Sequence, residues 1–467
     1  MKKENDLGRD EIGALVWRTA LPSMLAQFVS VLYSIVDRMY IGHIAGVGET
    51  ALAGVGVCGP VVTMVGSAAV WISWGASPLM GIRMGEGRPE EARRILRTGF
   101  CMLLAFSLAM MALVIPLREP MLRFFGASDA TYPYADAYFT VYLTGTVFAL
   151  LAAGLNQFII CQGFAKIGMA SVMLGAALNI VLDPVFIFGF AFIPAMGVSG
   201  AAIATVIGQI LAMLVSLFVI IFKDHAVNIN FRRFKPDWRI IKEIYAVGFP
   251  GIIMQAIGSV MVVGMNAILF TFPQNAVTAV AFFGVYFKLQ SFVFMPVFGL
   301  NQGLMPIMGY NFGARKKQRL NSATKYGCVI ALVLMGAGML VFWLMPDVLL
   351  SIFNASADML KIGVPGLRII SLCFLPAALG IVGSTFFQAV GKGVNSLLVS
   401  LLRQLIVLLP AAFLLAKLGV VEWVWYAFPI AETFSLLATI VLYLRVYKRQ
   451  IQNLEQEPSR ISGPEIV

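Results

Sequence analysis

Apolar residues in this chain come in long blocks, and the blocks recur from one end to the other. They fall at about 14–41, 51–81, 94–117, 131–153, 167–190, 195–222, 244–271, 277–307, 326–346, 358–382, 394–416 and 423–444. A helix needs about 20 apolar residues to cross a bilayer, so each block predicts one transmembrane span, numbered 1 to 12 in chain order. The longest polar stretch, roughly 223–243, divides the chain near its middle.

The two halves repeat. Pro22 corresponds to Pro250 at an offset of 228 residues, and Gly75, Gly81, Gly85 and Gly99 correspond to Gly303, Gly309, Gly313 and Gly327 at the same offset. The string Phe125-Gly126-Ala127-Ser128 meets Phe353-Asn354-Ala355-Ser356, again at 228. Further on the offset falls to 226, where Gln162, Lys166 and Pro184 meet Gln388, Lys392 and Pro410. A register this steady marks a duplication. Six spans per half is an even number, so both halves enter the membrane in the same sense, as a parallel repeat with its site between the halves. The expected fold is an all-α membrane protein of twelve transmembrane helices, in two six-helix lobes around a central cavity. Residues 1–222 would form the N-terminal lobe, 223–243 a cytoplasmic linker, 244–447 the C-terminal lobe and 448–467 a polar cytoplasmic tail.

Composition agrees. Of 467 residues, 60% are hydrophobic and 12% charged, against about 25% charged in soluble domains; mean hydropathy is +0.87. The net charge of +11 would suggest nucleic acid in a soluble protein, but here it follows the topology. Basic residues crowd the segments between spans 2 and 3 (Arg83, Arg88, Arg93, Arg94, Arg97), 6 and 7 (Lys223, Arg232, Arg233, Lys235, Arg239, Lys242) and 8 and 9 (Arg315, Lys316, Lys317, Arg319, Lys325). They also flank span 1 (Lys2, Lys3, Arg9, Arg18) and follow span 12 (Arg445, Lys448, Arg449). The opposite loops carry only Arg118, Arg123, Lys361 and Lys417. The positive-inside rule makes the basic side, with both termini, cytoplasmic, in a multi-pass protein of a bacterial-type inner (plasma) membrane. No nucleic-acid partner is expected, and no cleavable signal peptide, since the first dozen residues are polar. Cys58, Cys101, Cys161, Cys328 and Cys373 lie apart within apolar stretches, and the two histidines are His43 and His225. No Cys/His metal site or disulfide framework is expected.

Charges inside the hydrocarbon carry the chemistry, because each costs roughly 2.5–3.5 kcal/mol at the bilayer centre on insertion scales. The first half has two acids there, Asp37 in span 1 and Asp183 in span 5, both towards the outer end. Spans 1 and 5 run the same way, so the carboxylates can share a depth. Asn179 precedes Asp183 by four residues, on one helical face. Pro184 has no N–H for the carbonyl of Ile180, so a carboxylate, an amide oxygen and a free carbonyl can converge as cation ligands, with Asn156 in span 4 and Thr205 in span 6 as further oxygens. Na+ at Asp37, Asn179 and Asp183 is one possible occupant and a proton the other. At the repeat positions Asp37 becomes Met265, Asn179 becomes Leu405 and Asp183 becomes Leu409. The acids are therefore not part of the duplicated scaffold. Pro22 in span 1 and Pro184 in span 5 are candidate hinges.

The second half carries the opposite sign. Lys288 in span 8, Arg368 in span 10 and Arg403 in span 11 fall near mid-span, with Glu432 in span 12 the one acid at similar depth. They can pair with Glu432 and cap carbonyls, or they can make this lobe tolerant of anionic or zwitterionic substrate groups. Span 8 is rich in aromatic residues and methionine, which suit adaptable binding. The candidate substrate-cavity residues are Tyr138, Tyr142, Gln255, Tyr286, Lys288, Gln290, Arg368 and Arg403.

The Ala20-Leu21-Pro22 of span 1, the string from Ile35 to Gly42 (IVDRMYIG), the run from Asn179 to Pro184 and the stretch from Gln290 to Arg315 (QSFVFMPVFGLNQGLMPIMGYNFGAR) together resemble the multidrug and toxic compound extrusion (MATE) family of secondary transporters. The resemblance implies two six-helix lobes and antiport of Na+ or H+ against small organic, often cationic or amphiphilic, compounds, with no other cofactor. One branch of that family keeps its coupling acids on helices 1 and 5, where Asp37 and Asp183 stand, and Asn179, Asn156 and Thr205 match its polar partners. Another branch uses acids on helices 7 and 10, where this chain offers Gln255, Asn266 and Arg368 instead. The protein is expected to act as a monomer within membrane lipid. A flippase for a lipid-linked precursor is the rival reading. A major-facilitator transporter is disfavoured because GIRMGEGRPEEARR lacks that group's loop pattern. A membrane enzyme is disfavoured because no paired catalytic carboxylates or HExxH motif occurs. A channel would conduct without exchange of a counter-ion.

Overall fold

A computed structural model describes residues 5–222, 227, 236–353 and 355–454. Lys2, Lys3, Lys223, His225, Arg232, Arg233, Lys235 and Asn354, most of the 223–243 linker and the end of the tail lie outside the described residues. Every predicted span is helical. Spans 1, 2 and 3 are Ile12–Gly42, Gly48–Gly85 and Pro89–Phe124; spans 5 and 6 are Ala165–Phe188 and Val198–Phe222. Spans 7, 8 and 9 are Trp238–Leu269, Ala276–Gly313 and Lys317–Leu344; spans 11 and 12 are Gly393–Ala416 and Val421–Ile451. Span 4 is a bent pair, Tyr132–Thr144 and Thr146–Cys161, meeting at 55°. Span 10 is another, Ala357–Ser371 and Phe374–Ala389, meeting at 47°. Gly145 at the first break and Cys373 at the second are 228 residues apart, so the break belongs to the repeat.

Several helices begin a turn or two before their apolar block, since polar turns project beyond the hydrocarbon. Span 9 begins at Lys317 rather than near 326. Local signals fix the starts. Pro89 opens span 3, where its missing N–H costs nothing. The Asp237 carboxylate accepts from the Arg239 N–H (2.9 Å) ahead of span 7, and Ser356 Oγ accepts from the Met359 N–H (3.2 Å) ahead of span 10.

The halves meet through crossings that obey their own two-fold. A methyl group at Gly85 would collide with the Tyr310 carbonyl oxygen, and one at Gly313 with that of Ile82. Ile82 and Tyr310, like Gly85 and Gly313, are 228 apart, so span 2 crosses span 8 through the same surface on both sides. An isologous contact has this form. The flanking crossings match too. Gly75 of span 2 lies against Ile244 and Gly248 of span 7, and Gly303 of span 8 lies against Ala20 of span 1. All these crossings occupy one end of the spans. That end also gathers the first and last described segments: Lys316 Nζ donates to the Gly8 carbonyl (2.7 Å) and Lys317 Nζ to that of Gln452 (2.9 Å).

Span 1 belongs to both halves. Leu15, Val16 and Ala20 are buried in one large core with residues of spans 7 to 12. Beyond Pro22, Ile41 is buried in a first-half core with residues of spans 2, 3, 4, 5 and 6. Pro22 lies within the part packed on the second half, since Met24 beyond it packs on that core too; the helix passes to the other core further along. Around Pro22 the Thr19 hydroxyl donates to the Leu15 carbonyl (3.0 Å) and the Ser23 hydroxyl to that of Thr19 (3.1 Å). Such bonds bend helices slightly.

Candidate functional site

The helices bring the sequence candidates of the first half together. Asp37 and Asp183 are both buried, at 8% and 0% exposure, and so is Asn179. The Asn179 side chain donates to Asp183 Oδ1 (3.2 Å) and to Thr205 Oγ1 (3.3 Å). Its i, i+4 spacing from Asp183 thus does what the sequence pattern suggested, and span 6 supplies the hydroxyl. Asp37 and Asp183 lie within electrostatic reach of one another.

Two adjoining cavities of about 190 and 180 Å³ flank this cluster. Asn156 and Asn179 line the larger, Asp37, Tyr138 and Tyr142 the smaller, and both have Tyr33, Thr205 and Gln209 in their walls. Tyr138 and Tyr142 stack, with ring centroids 6.1 Å apart. Oδ1 of Asp37, Oδ2 of Asp183 and the side-chain oxygens of Asn156 and Asn179 are buried and meet no hydrogen-bond donor among the described residues. Arg38 forms no ion pair with Asp37 among the described residues, although it also lines the smaller cavity. Ile180 lines neither cavity. Buried acceptors are rarely left unmet; those of Asn156 and Asn179 adjoin one cavity, that of Asp37 adjoins the next and Asp183 lines neither, an arrangement suited to a proton or a hard cation. Na+ takes oxygen ligands of these kinds, so the donor set fits either ion. Among the described residues no three His, Cys, Asp or Glu side chains are placed to hold a metal ion together.

The second half holds a larger cavity, about 430 Å³, with Gln255, Tyr286, Gln290 and Arg403 in its wall. Arg403 and Glu432 face each other across it, Nε to Oε1 at 3.6 Å. A π-helical turn, Leu402–Ile406, carries Arg403 and Gln404; one extra residue per turn re-aims side chains, as such turns do at binding sites.

Two cavity candidates stand elsewhere. Lys288 is exposed, with Nζ 5.8 Å from the centre of the Phe353 ring. Arg368 is exposed and donates to the Trp343 carbonyl (3.2 Å), while the Trp343 indole donates back to the Arg368 carbonyl (3.0 Å). Position within an apolar block gave their depth but not their facing. Conversely, Tyr33, Gln209 and Gln404 line cavities without having been singled out. Tyr33 and Gln209 each lie four residues from a candidate, Asp37 and Thr205, and that spacing was the available signal.

The MatE family signature matches residues 22–185 and again 250–414. An FAD transporter of Shewanella oneidensis is 24% identical over 449 residues, covering 96% of this chain and 97% of that protein. The multidrug export protein MepA of Staphylococcus aureus is 24% identical over 426 residues, covering 91% and 92%. A solved structure described as the outward-facing conformation of a multidrug resistance MATE family transporter of the MOP superfamily superposes with a TM-score of 0.87, at 25% identity, over 98% of this chain and all of that one. Another, a MOP superfamily transporter from Pyrococcus furiosus described as having a binding pocket of reverse polarity, gives 0.86 at 25% identity, with 98% and 100% coverage.

Proposed function

The chain belongs to the MatE family, is a multi-pass membrane transporter and not an enzyme, and from that premise we propose that it exports small organic compounds in exchange for Na+ or H+ bound at Asp37 and Asp183. What carries the reading is one observation: two buried carboxylates in the first half keep unmet oxygens beside unmet amide oxygens, and although Arg38 bears on Asp37 electrostatically, neither carboxylate forms an ion pair among the described residues. Two anions buried together are costly, so a proton or Na+ is needed whenever water is excluded. Span 1 transmits occupancy. Its outer part carries Asp37 against spans 5 and 6, its first turns pack in the other core, and Pro22 and Pro184 serve as hinges. Loading the carboxylates changes the packing of span 1 and weakens the hold on substrate. By linkage, substrate weakens the hold on the ion to the same degree.

The basic end, with both termini, is assigned to the cytoplasm. Closure of the span crossings at that end then corresponds to an outward-facing state. Residues 1–222 and 244–447 act as the two lobes, 223–243 as linker and 448–467 as tail, and one chain suffices for transport.

The test is uptake of a fluorescent organic cation into inside-out proteoliposomes under imposed Na+ or H+ gradients. One of the gradients should drive accumulation, and Asp37→Asn and Asp183→Asn should each abolish it. Accumulation by either variant at the wild-type rate would refute the assignment. Absence of gradient-driven uptake by the wild type would favour a lipid-linked substrate.

A further inference from the structure

The second-half cavity has no role in the exchange of ions described above, yet it is larger than the two first-half cavities and is internally charged. Its volume of about 430 Å³ is in the range that takes a drug-sized molecule. Its walls combine aromatic and methionine side chains with Gln255, Gln290 and Gln404. Arg403 and Glu432 are its one cation and one anion. The Glu432 side chain is 11% exposed and that of Arg403 22%.

This pair is poorly made. Its single approach, 3.6 Å from Nε to Oε1, is too long for a hydrogen bond. Oε2 of Glu432 is buried and meets no donor among the described residues. The guanidinium forms no hydrogen bond among the described residues either. A buried ion pair repays its desolvation only when geometry is good and the remaining lone pairs and N–H groups are met. Both partners line the cavity, and both have unused capacity. The guanidinium fork suits a carboxylate or phosphate bidentately, and the Glu432 carboxylate suits an ammonium.

We propose that this cavity binds a zwitterionic amphiphile, whose anionic group is taken by Arg403, whose adjacent cationic group is taken by Glu432 and whose aromatic or apolar body lies along Tyr286 and Phe428. An anion alone would face Glu432, and a cation alone would face Arg403. A zwitterion replaces one loose ion pair by two good ones. The inference deepens the transport reading by naming a substrate class, and it rests on that reading.

Three probes with the same fluorophore and spacer separate the cases: Nε-dansyl-lysine (zwitterion), dansylcadaverine (cation) and dansyl-aminohexanoate (anion). Displaceable binding to the purified full-length protein in detergent is read by fluorescence anisotropy. The zwitterion should bind about tenfold tighter than either single-charge analogue, the scale of one charge-assisted contact. Arg403→Gln and Glu432→Gln should each erase that preference. Either single variant leaves an unpaired buried charge, so the double variant Arg403→Gln/Glu432→Gln serves as the folded control and should lose the preference as well. Equal binding of the three probes, or a preference that survives the double variant, overturns the proposal. Binding in detergent needs no gradient. A failure here with gradient-driven uptake intact removes only the substrate class, and binding without such uptake removes only the antiport reading.

Discussion

The halves of this protein share a scaffold and differ in the charges they enclose. The first half encloses two acids and a set of unmet oxygens beside small cavities. The second half, at the repeat-equivalent positions, has Met265, Leu405 and Leu409, and in its larger cavity an arginine faces a glutamate. The corners that close the structure differ in the same way. At the end of span 2, Arg83 reaches Glu86 (2.9 Å), Glu91 (3.2 Å) and Glu243 (4.0 Å). The equivalents of Arg83 and Glu91 are Asn311 and Arg319, and these hold backbone instead. Asn311 donates to the Leu7 carbonyl (2.9 Å), and Arg319 to those of Leu7 (3.2 Å) and Asp10 (2.7 Å). Prolines and glycines survived duplication because both halves need the same helix crossings. On the proposed reading, charges diverged because ion coupling needs only one site.

The comparison breaks most sharply at Asp183. Asp183→Asn should lower gradient-driven transport by about 100-fold, the upper range of coupling between sites, whereas Leu409→Asn at the equivalent position should leave coupling to the gradient in place. Transport rates with and without the imposed gradient decide this. A next, smaller effect probes what the halves have in common. Gly85→Ala and Gly313→Ala should each cost about 1–3 kcal/mol through overpacking at the crossing, and by the two-fold the costs should match, read as equal falls in melting temperature in detergent.

The sequence made the scaffold legible and the site only partly so. Twelve apolar blocks and a repeat offset of 228 are long-range signals that survive any single ambiguity. Asp37, Asn179 and Asp183 stood out because a charge inside hydrocarbon is costly and because i, i+4 spacing sets a shared face. Facing was the missing quantity. Lys288 and Arg368 lie mid-block yet point away from the cavity, since helical spacing fixes which residues share a face but not which way the face turns. Tyr33, Gln209 and Gln404 are uncharged and stand outside any motif, so only packing shows that they line cavities. The breaks at Gly145 and Cys373 were invisible for a related reason: neither is a proline, and Gly145 is where the side chain of Val206 presses closest.

Two weaker effects sharpen the contrast further. Arg319→Ala removes charged donors from the segment before span 1 at a half-exposed site. It should cost about 1 kcal/mol, seen as a roughly fivefold rise in labelling of a cysteine placed at Gly8. Lys288→Gln and Arg368→Gln should change stability by less than about 0.5 kcal/mol and leave substrate preference as it is, in contrast to Arg403→Gln.

Ion binding to the purified protein tests the central claim, that coupling resides in the first half alone. Radiolabelled Na+ binding and proton release would be measured together, for the wild type, Asp183→Asn and Glu432→Gln. The account predicts that Asp183→Asn loses the ion whose gradient drives transport and that Glu432→Gln keeps it. Loss in Glu432→Gln with retention in Asp183→Asn would place the coupling site in the other half and contradict the account.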